Sequence, residues 1–268
     1  MIDNQTNNQT DPLVIERVQD DAGNNSIALI TLNRPEIKNA ISDADVIDAF
    51  DAMVDQLNVD GSVKVAVLTG KSTGEGDIFS GGGNIKAMKN RTGMFAGDVE
   101  QLQKNYQQFI QRIPLAFARL QVPVIAAVNG PAVGAGNDMV CMCDIAIASN
   151  KATFSESFIK LGIIPGDGGA WLLPRRVGMQ KAMEMALTGR AFSADEALAM
   201  GLVSRVVEHD QLLGNALGLA RQMATNDGRC LRETKRLFRE AQSQTLEQAL
   251  ESAAQIQGVL HHEPGFKL

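Results

Sequence analysis

The sequence is poor in the residues that carry much of enzyme chemistry. Its 268 residues include three cysteines, Cys141, Cys143 and Cys230, and three histidines, His209, His261 and His262. Three cysteines cannot build a disulfide framework, which predicts a reducing, cytoplasmic setting. Cys141-x-Cys143 has no matching second pair, so the chain is expected to hold no metal and these thiols to be buried on one element. All three histidines fall in the last quarter of the chain. That argues against a Ser-His-Asp or Cys-His nucleophile, which needs a histidine beside it. Aromatics make up only 4% of the residues, with Trp171 and Tyr106 the single examples of their types, so the core must be aliphatic. Positive charge is also short. Twenty-five basic residues against thirty-one acidic ones leave a net charge of −6, and there is no Lys-rich helix, so neither nucleic acid nor an anionic membrane is expected as a partner. No apolar run reaches the ~18 residues of a membrane span. The first residues lack the basic and apolar regions of a signal peptide, so 1–11 are expected to be a disordered lead-in.

What is present is an alternating α/β pattern. Pro12 to Val18 and Ser26 to Leu32 read as strands. Ser42 and Asp45 have capping-box spacing before a helical stripe of Val46, Ile47, Phe50, Met53, Val54 and Leu57. Val63 to Thr69 then alternates valines as a strand does, which completes a βαβ unit and predicts a parallel sheet. A helix is expected over Asp98 to Ile113, a buried strand over Val122 to Val128, a helix from Gly134 to near Cys143, and short strands at Asp144 to Ala148 and Ala152 to Phe154. From Phe158 the pattern reads as helical, with a second capping box at Ser193 and Glu196 and helices over Gln211 to Thr225, Gly228 to Ala241 and Leu246 to Val259. The expected division is an α/β core over 12–200 and a helical region over 201–268.

Glycines gather after two of the strands. One loop is Phe79-Ser80-Gly81-Gly82-Gly83-Asn84-Ile85-Lys86. The other is Asn129-Gly130-Pro131-Ala132-Val133-Gly134-Ala135-Gly136. Glycine lets the backbone approach a ligand with its N–H groups turned inward. Two such loops can aim two N–H groups at one oxygen, although tight turns alone would read the same way. A dinucleotide fingerprint is not complete, because Gly134-x-Gly136-x-x-Met139 lacks the third glycine, and the phosphate loop GxxxxGK[ST] is absent.

Taken in order, six segments resemble the crotonase superfamily, the enoyl-CoA hydratase/isomerase family. They are LNRP (32–35) with Asn39-Ala40, FSGGGNIKAM (79–88), PVIAAVNGPAVGAG (123–136), MCDIAIAS (142–149), KLGIIPGDGG (160–169) and ADEALAMGLVSRVV (194–207). The resemblance implies a spiral of ββα units with a C-terminal helical region, usually assembled as trimers or dimers of trimers. It implies acyl-CoA thioester substrates, with coenzyme A entering as part of the substrate and no separate cofactor. It places the oxyanion-binding N–H groups at Gly83 and Ala135 and the CoA nucleotide near Ile85 and Lys86. Arg34 is either a further phosphate contact or a solvated surface residue.

The chain departs from the hydratase pattern at its acids. Of the two glutamates that a hydratase of this family uses, the first falls on Asp138 and the second on Phe158. Two nearby acids are candidates to assist Asp138. Glu156 lies two residues before Phe158 and so shares its face on a strand, unless it is a surface residue. Asp167 lies in the Pro165–Gly169 loop and otherwise reads as a helix cap. Phe158, Trp171, Met88, Met94 and Phe95 are candidates to line an acyl pocket, and Phe79 is expected in the core. These residues leave three readings open: hydration of 2-enoyl-CoA, double-bond isomerisation by a single carboxylate, and acyl-CoA binding without catalysis. The C-terminus reads as shorter than the family's, with Phe266 and Lys267 as a remnant of its final segment.

Overall fold

The computed structural model describes residues 11–72, 76–263 and 265; all but the last residue of the lead-in, and the Phe266-Lys267 remnant, lie outside them. The chain opens with strands β1 (Leu13–Val18) and β2 (Ile27–Leu32), helix α1 (Ala44–Val59), strand β3 (Val65–Gly70) and helices α2 (Ile85–Asn90), α3 (Val99–Gln108) and α4 (Arg112–Arg119). Next come β4 (Val124–Val128), β5 (Ala132–Val133), α5 (Ala135–Met142), β6 (Ile145–Ser149) and β7 (Thr153–Ser155). The remainder holds α6 (Gly169–Thr188), β8 (Phe192–Ser193), α7 (Ala194–Ala199), β9 (Arg205–Val207), α8 (Leu212–Ala224), α9 (Gly228–Glu240) and α10 (Leu246–Leu260).

Six strands form one sheet in the order β1-β2-β3-β4-β6-β9, antiparallel at β1-β2 and parallel from β2 onward. The alternating valines work as the pattern requires. Val65 and Val67 face α8 with Ile125 and Ile147, while Ala66 and Leu68 face the opposite core with Phe50 and Phe117. Both faces of the parallel strands are therefore covered. A smaller sheet, β5-β7-β8, stands beside the first. Phe79 is fully buried, as expected.

Three local expectations need correction. The stripe over Asp98 to Ile113 is not one helix but two, α3 and α4, broken at Phe109–Gln111. Pro114 explains the break. In a continuous helix its ring would collide with the Ile110 carbonyl, whereas in the first turn of α4 no N–H is needed. The Ser42–Asp45 capping box does not form. Asp43 is the N-cap, and the Ser42 hydroxyl accepts from the Asn84 N–H at 2.8 Å. The box at Ser193–Glu196 does form, with both reciprocal bonds present. Finally, the region after Phe158 is not wholly helical. β9 completes the main sheet by pairing with Ile147–Ser149, which a three-residue strand cannot announce through periodicity.

The C-terminal helices are fastened to the core by cations bound to carbonyls. Arg232 on α9 donates to the carbonyls of Leu57 and Asn58 at the end of α1, and to those of Asp60 and Val63. It thereby satisfies acceptors that the helix end leaves unpaired. Lys235, one turn on, is buried between Asp144 and the Val122 carbonyl. Replacing Arg232 with Ala is expected to lower the unfolding free energy by about 2 kcal/mol in urea titration. An unchanged midpoint would show that the contact contributes nothing.

Candidate active site

The two glycine loops leave the C-terminal side of β3 and β4 and are stitched together by backbone hydrogen bonds. Phe79 and Ser80 donate to the Pro131 carbonyl, and Val133 donates back to Ser80 at 2.9 Å. The buried Asn39 holds the first loop from below, donating to the Ile78 carbonyl at 3.0 Å. Gly82 has φ +79°, and a Cβ there would stand 2.3 Å from the Val133 carbonyl oxygen, so no side chain fits between the loops. Gly83 and Ala135 follow these crossings. Both line one large cavity, and neither N–H donates to an acceptor among the described residues. Ala135 opens α5, so its N–H has no partner within the helix and sits at the positive end of the helix dipole.

The cavity encloses about 1140 Å³. Phe158, Ile85, Met88, Met94 and Phe95 are on its wall, and the Phe158 ring lies against Gly134. Other sequence-predicted positions are not. Trp171 lies 57% exposed beside a separate groove, with the Arg175 guanidinium 3.8 Å from its ring centroid. Two residues after Gly169, it is turned by roughly 200° on the helix, away from the carboxyls that Gly169 touches. Lys86 is exposed and off the wall, because on α2 the face of Ile85 recurs at Met88 rather than at 86. The Arg34 guanidinium is paired with Asp45 and is also off the wall. The cations that do line the cavity are Lys38 and Lys160, which no motif singled out.

Asp138, Glu156 and Asp167 come together as one buried cluster, and this corrects two alternatives. Glu156 is no surface residue, being 1% exposed, and Asp167 does not cap α6, whose N-cap is Gly168 without a side-chain bond. The three are not equivalent. Asp167 lines the cavity, whereas Asp138 and Glu156 stand behind it. The close fit depends on Gly169, where a Cβ would fall 2.3 Å from Asp138 Oδ1. Asn137 donates to Glu156 Oε1 at 2.6 Å and fixes that carboxyl. Both Asp138 oxygens, Glu156 Oε2 and Asp167 Oδ1 find no N–H or hydroxyl donor among the described residues, so the cluster satisfies itself only by holding protons. Burial, then the charges of Glu156 and Asp167, push Asp138 well above the usual carboxylate range. Burial pushes Glu156 up to about 7 and also raises Asp167, while a hydrogen bond with Asp138 pulls both back toward the ionised form. All three carboxyls are thus shifted toward the protonated form, Asp138 by the most causes, and of the three Asp167 is the one on the cavity wall.

Sequence reasoning also missed a Ser-His-Asp contact. Ser149 Oγ lies 2.9 Å from His209 Nδ1, and His209 Nε2 lies 2.6 Å from Asp77. Ser149 is fully buried and its oxygen also accepts from the Lys151 N–H, so the chain ties β6 to the loop at Asp77 and offers no accessible nucleophile. Among the described residues, no three His, Cys, Asp or Glu side chains are grouped to hold a metal ion, and no helix is long and apolar enough to cross a membrane.

The family model for enoyl-CoA hydratase/isomerase matches residues 22–267. A probable enoyl-CoA hydratase of Mycobacterium leprae is 34% identical over 244 residues, covering 91% of this chain and 86% of the relative. A 4-chlorobenzoyl coenzyme A dehalogenase of an Arthrobacter species is 32% identical over 232 residues, covering 85% of this chain and 80% of the relative. The crystal structure of an enoyl-CoA hydratase from Bacillus anthracis superposes with a TM-score of 0.83 at 28% identity, covering 94% and 92% of the two chains. The fold is therefore crotonase-like, and the chain belongs to the enoyl-CoA hydratase/isomerase family.

The cluster makes stability depend on pH. Folded Glu156 titrates near 7 against an ordinary 4.5, so its contribution is full below about pH 4.5 and is lost as pH rises through 7. Glu156→Gln is expected to flatten that fall and to stabilise the protein at pH 8 by up to about 3 kcal/mol. Urea titrations at pH 5 and pH 8 measure it. An unchanged difference between the two pH values would refute the buried titration.

Proposed function

We propose that this protein hydrates 2-enoyl-CoA thioesters reversibly through a thioester enolate. The observation that carries the reading is the meeting of the unpaired Gly83 and Ala135 N–H groups with the Asp167 carboxyl on one cavity wall. The two N–H groups hold the thioester oxygen as it gains charge. Donors placed in this way are worth about 3 kcal/mol each. Asp167 takes a proton from water as its oxygen bonds to the β-carbon, and then delivers that proton to the α-carbon. Asp138 keeps its own proton, donates to Asp167 and so keeps it ionised and in place; Glu156, held by Asn137, backs the pair. Support for a CoA thioester also comes from the relatives, whose names include enoyl-CoA hydratase and 4-chlorobenzoyl coenzyme A dehalogenase. Coenzyme A enters as part of the substrate, and this chemistry requires no separate cofactor. Ile85 and Phe158 contact the substrate, and Lys38 and Lys160 supply positive charge for its phosphates.

A second reading is favoured by one observation: of the three carboxyls, only Asp167 lines the cavity, and Phe158 stands where the second glutamate falls. One carboxyl suffices to move a proton along an allylic enolate, as a double-bond isomerase does. Either activity fits a homotrimer or dimer of trimers closed over the exposed apolar residues of α6, Met179, Met183 and Leu187. The free cysteines suit the cytoplasm.

Saturated, 2-enoyl and 3-enoyl thioesters incubated in D₂O and read by mass spectrometry separate the readings. Gain of a water mass on 2-enoyl thioesters is the expected result. Migration of the double bond without that gain would make the enzyme an isomerase. Binding with no exchange at carbon on any thioester would leave a non-catalytic binding protein. Asp167→Asn is expected to lower turnover by about 100-fold or more.

A further inference from the structure

Hydration needs its water held beside the base and facing the double bond. A carboxylate offers the water an acceptor but no donor, and Phe158 offers neither. Tyr106, the only tyrosine in the chain, lies on α3, half-buried, and lines the same cavity. Its neighbours on that wall, Met94, Phe95 and Ile110, are apolar. The phenol has no hydrogen-bond partner among the described residues, although a tyrosine hydroxyl in a mostly apolar setting ordinarily finds one.

The phenol is held in fixed relation to Asp167. Asn105, next to it on α3, is buried and donates to the carbonyls of Met94 and Ala96 at 2.9 and 3.0 Å, which seats that turn against the helix. At the break before α4, the Gln111 N–H donates to the Tyr106 carbonyl at 3.1 Å. The Gln111 side chain donates to the Gly166 carbonyl at 2.8 Å. The ring itself abuts Gly166, where a Cβ would fall 3.0 Å from Tyr106 Cε1. One residue therefore clamps the phenol's backbone to the segment that carries the carboxyl. Burial and the charge of Asp167 both keep the phenol protonated, so it acts as a donor.

We infer that Tyr106 is the second anchor of the oxygen that adds to the double bond, donating its O–H to the water beside Asp167 and afterwards to the product hydroxyl. The inference rests on the hydration reading. In the step, the water oxygen bonds to the β-carbon while one of its protons passes to Asp167. The π electrons move to the thioester oxygen, and that proton then reaches the α-carbon. Tyr106 gives and loses nothing; it orients the oxygen.

The test compares wild type with Tyr106→Phe on two reactions in D₂O, hydration of a 2-enoyl-CoA and α-proton exchange of the matching saturated acyl-CoA. Hydration is expected to fall at least about tenfold more than exchange, since exchange involves no added oxygen. Affinity for the 3-hydroxyacyl-CoA should also fall severalfold relative to the saturated thioester. Equal losses in both reactions, or unaltered hydration, would overturn the inference. Tyr106→Met, which keeps an apolar side chain without the hydroxyl, gives the same comparison if the Phe variant folds poorly. A wild type that exchanges α-protons but never adds water would overturn the hydration reading itself, and with it the anchor.

Discussion

The site depends on the hydrogen-bonded crossing of two loops, where Pro131 and Val133 meet Phe79 and Ser80. That crossing consumes the backbone groups just upstream of Gly83 and Ala135 and leaves those two N–H groups without partners among the described residues. Donors fixed in this way need no rearrangement when charge appears near them, which is why their placement matters more than their number. The sheet enforces the crossing. β3 and β4 run parallel and adjacent, so the loops that follow them emerge side by side. Gly82 keeps them in contact, because any side chain there would wedge them apart.

Behind this polar edge the protein stores a second unusual feature, three carboxyls in a site nearly closed to solvent. Burying them costs stability that rises with pH, and the cluster lowers the cost by retaining protons. The same arrangement separates their roles. The most deeply buried member is pushed furthest toward its protonated form, and the member at the cavity is the one a ligand can reach. A stability burden and the proposed proton-transfer site are here one structure, as is common where burial perturbs pKa values. The cations that clamp α9 are the converse case. Arg232 and Lys235 meet carbonyls and Asp144, which offset part of the cost of their burial.

Much of the fold was legible in the residues. The valines of β3, the stripe of α1 and the box at Ser193–Glu196 each follow from one local rule, and each formed. Where reading failed, a longer-range partner had intervened. Ser42 was drawn from its helix by the Asn84 N–H, Pro114 broke a stripe that periodicity alone made continuous, and β9 became a strand only because β6 had an open edge. The candidate site divides in the same way. Gly83 and Ala135, picked out by the order of motifs, do line the cavity, since a backbone N–H follows wherever its loop goes. Side chains such as Lys86, Arg34 and Trp171 could not, because one position on a helix turns a side chain by about 100°.

The sequence by itself therefore determined the sheet's strands up to β6, the parallel run they form, the two glycine loops and the identity of the three acids. These rest on patterns of two to four residues, which local sterics and burial read directly. Only the tertiary structure decided that Glu156 is buried beside Asp138, that Asp167 alone of the three meets the cavity, and that Tyr106 stands near it. Those relations join residues dozens of positions apart, through Gln111, Gly169 and Asn137. No local rule couples such positions; packing does.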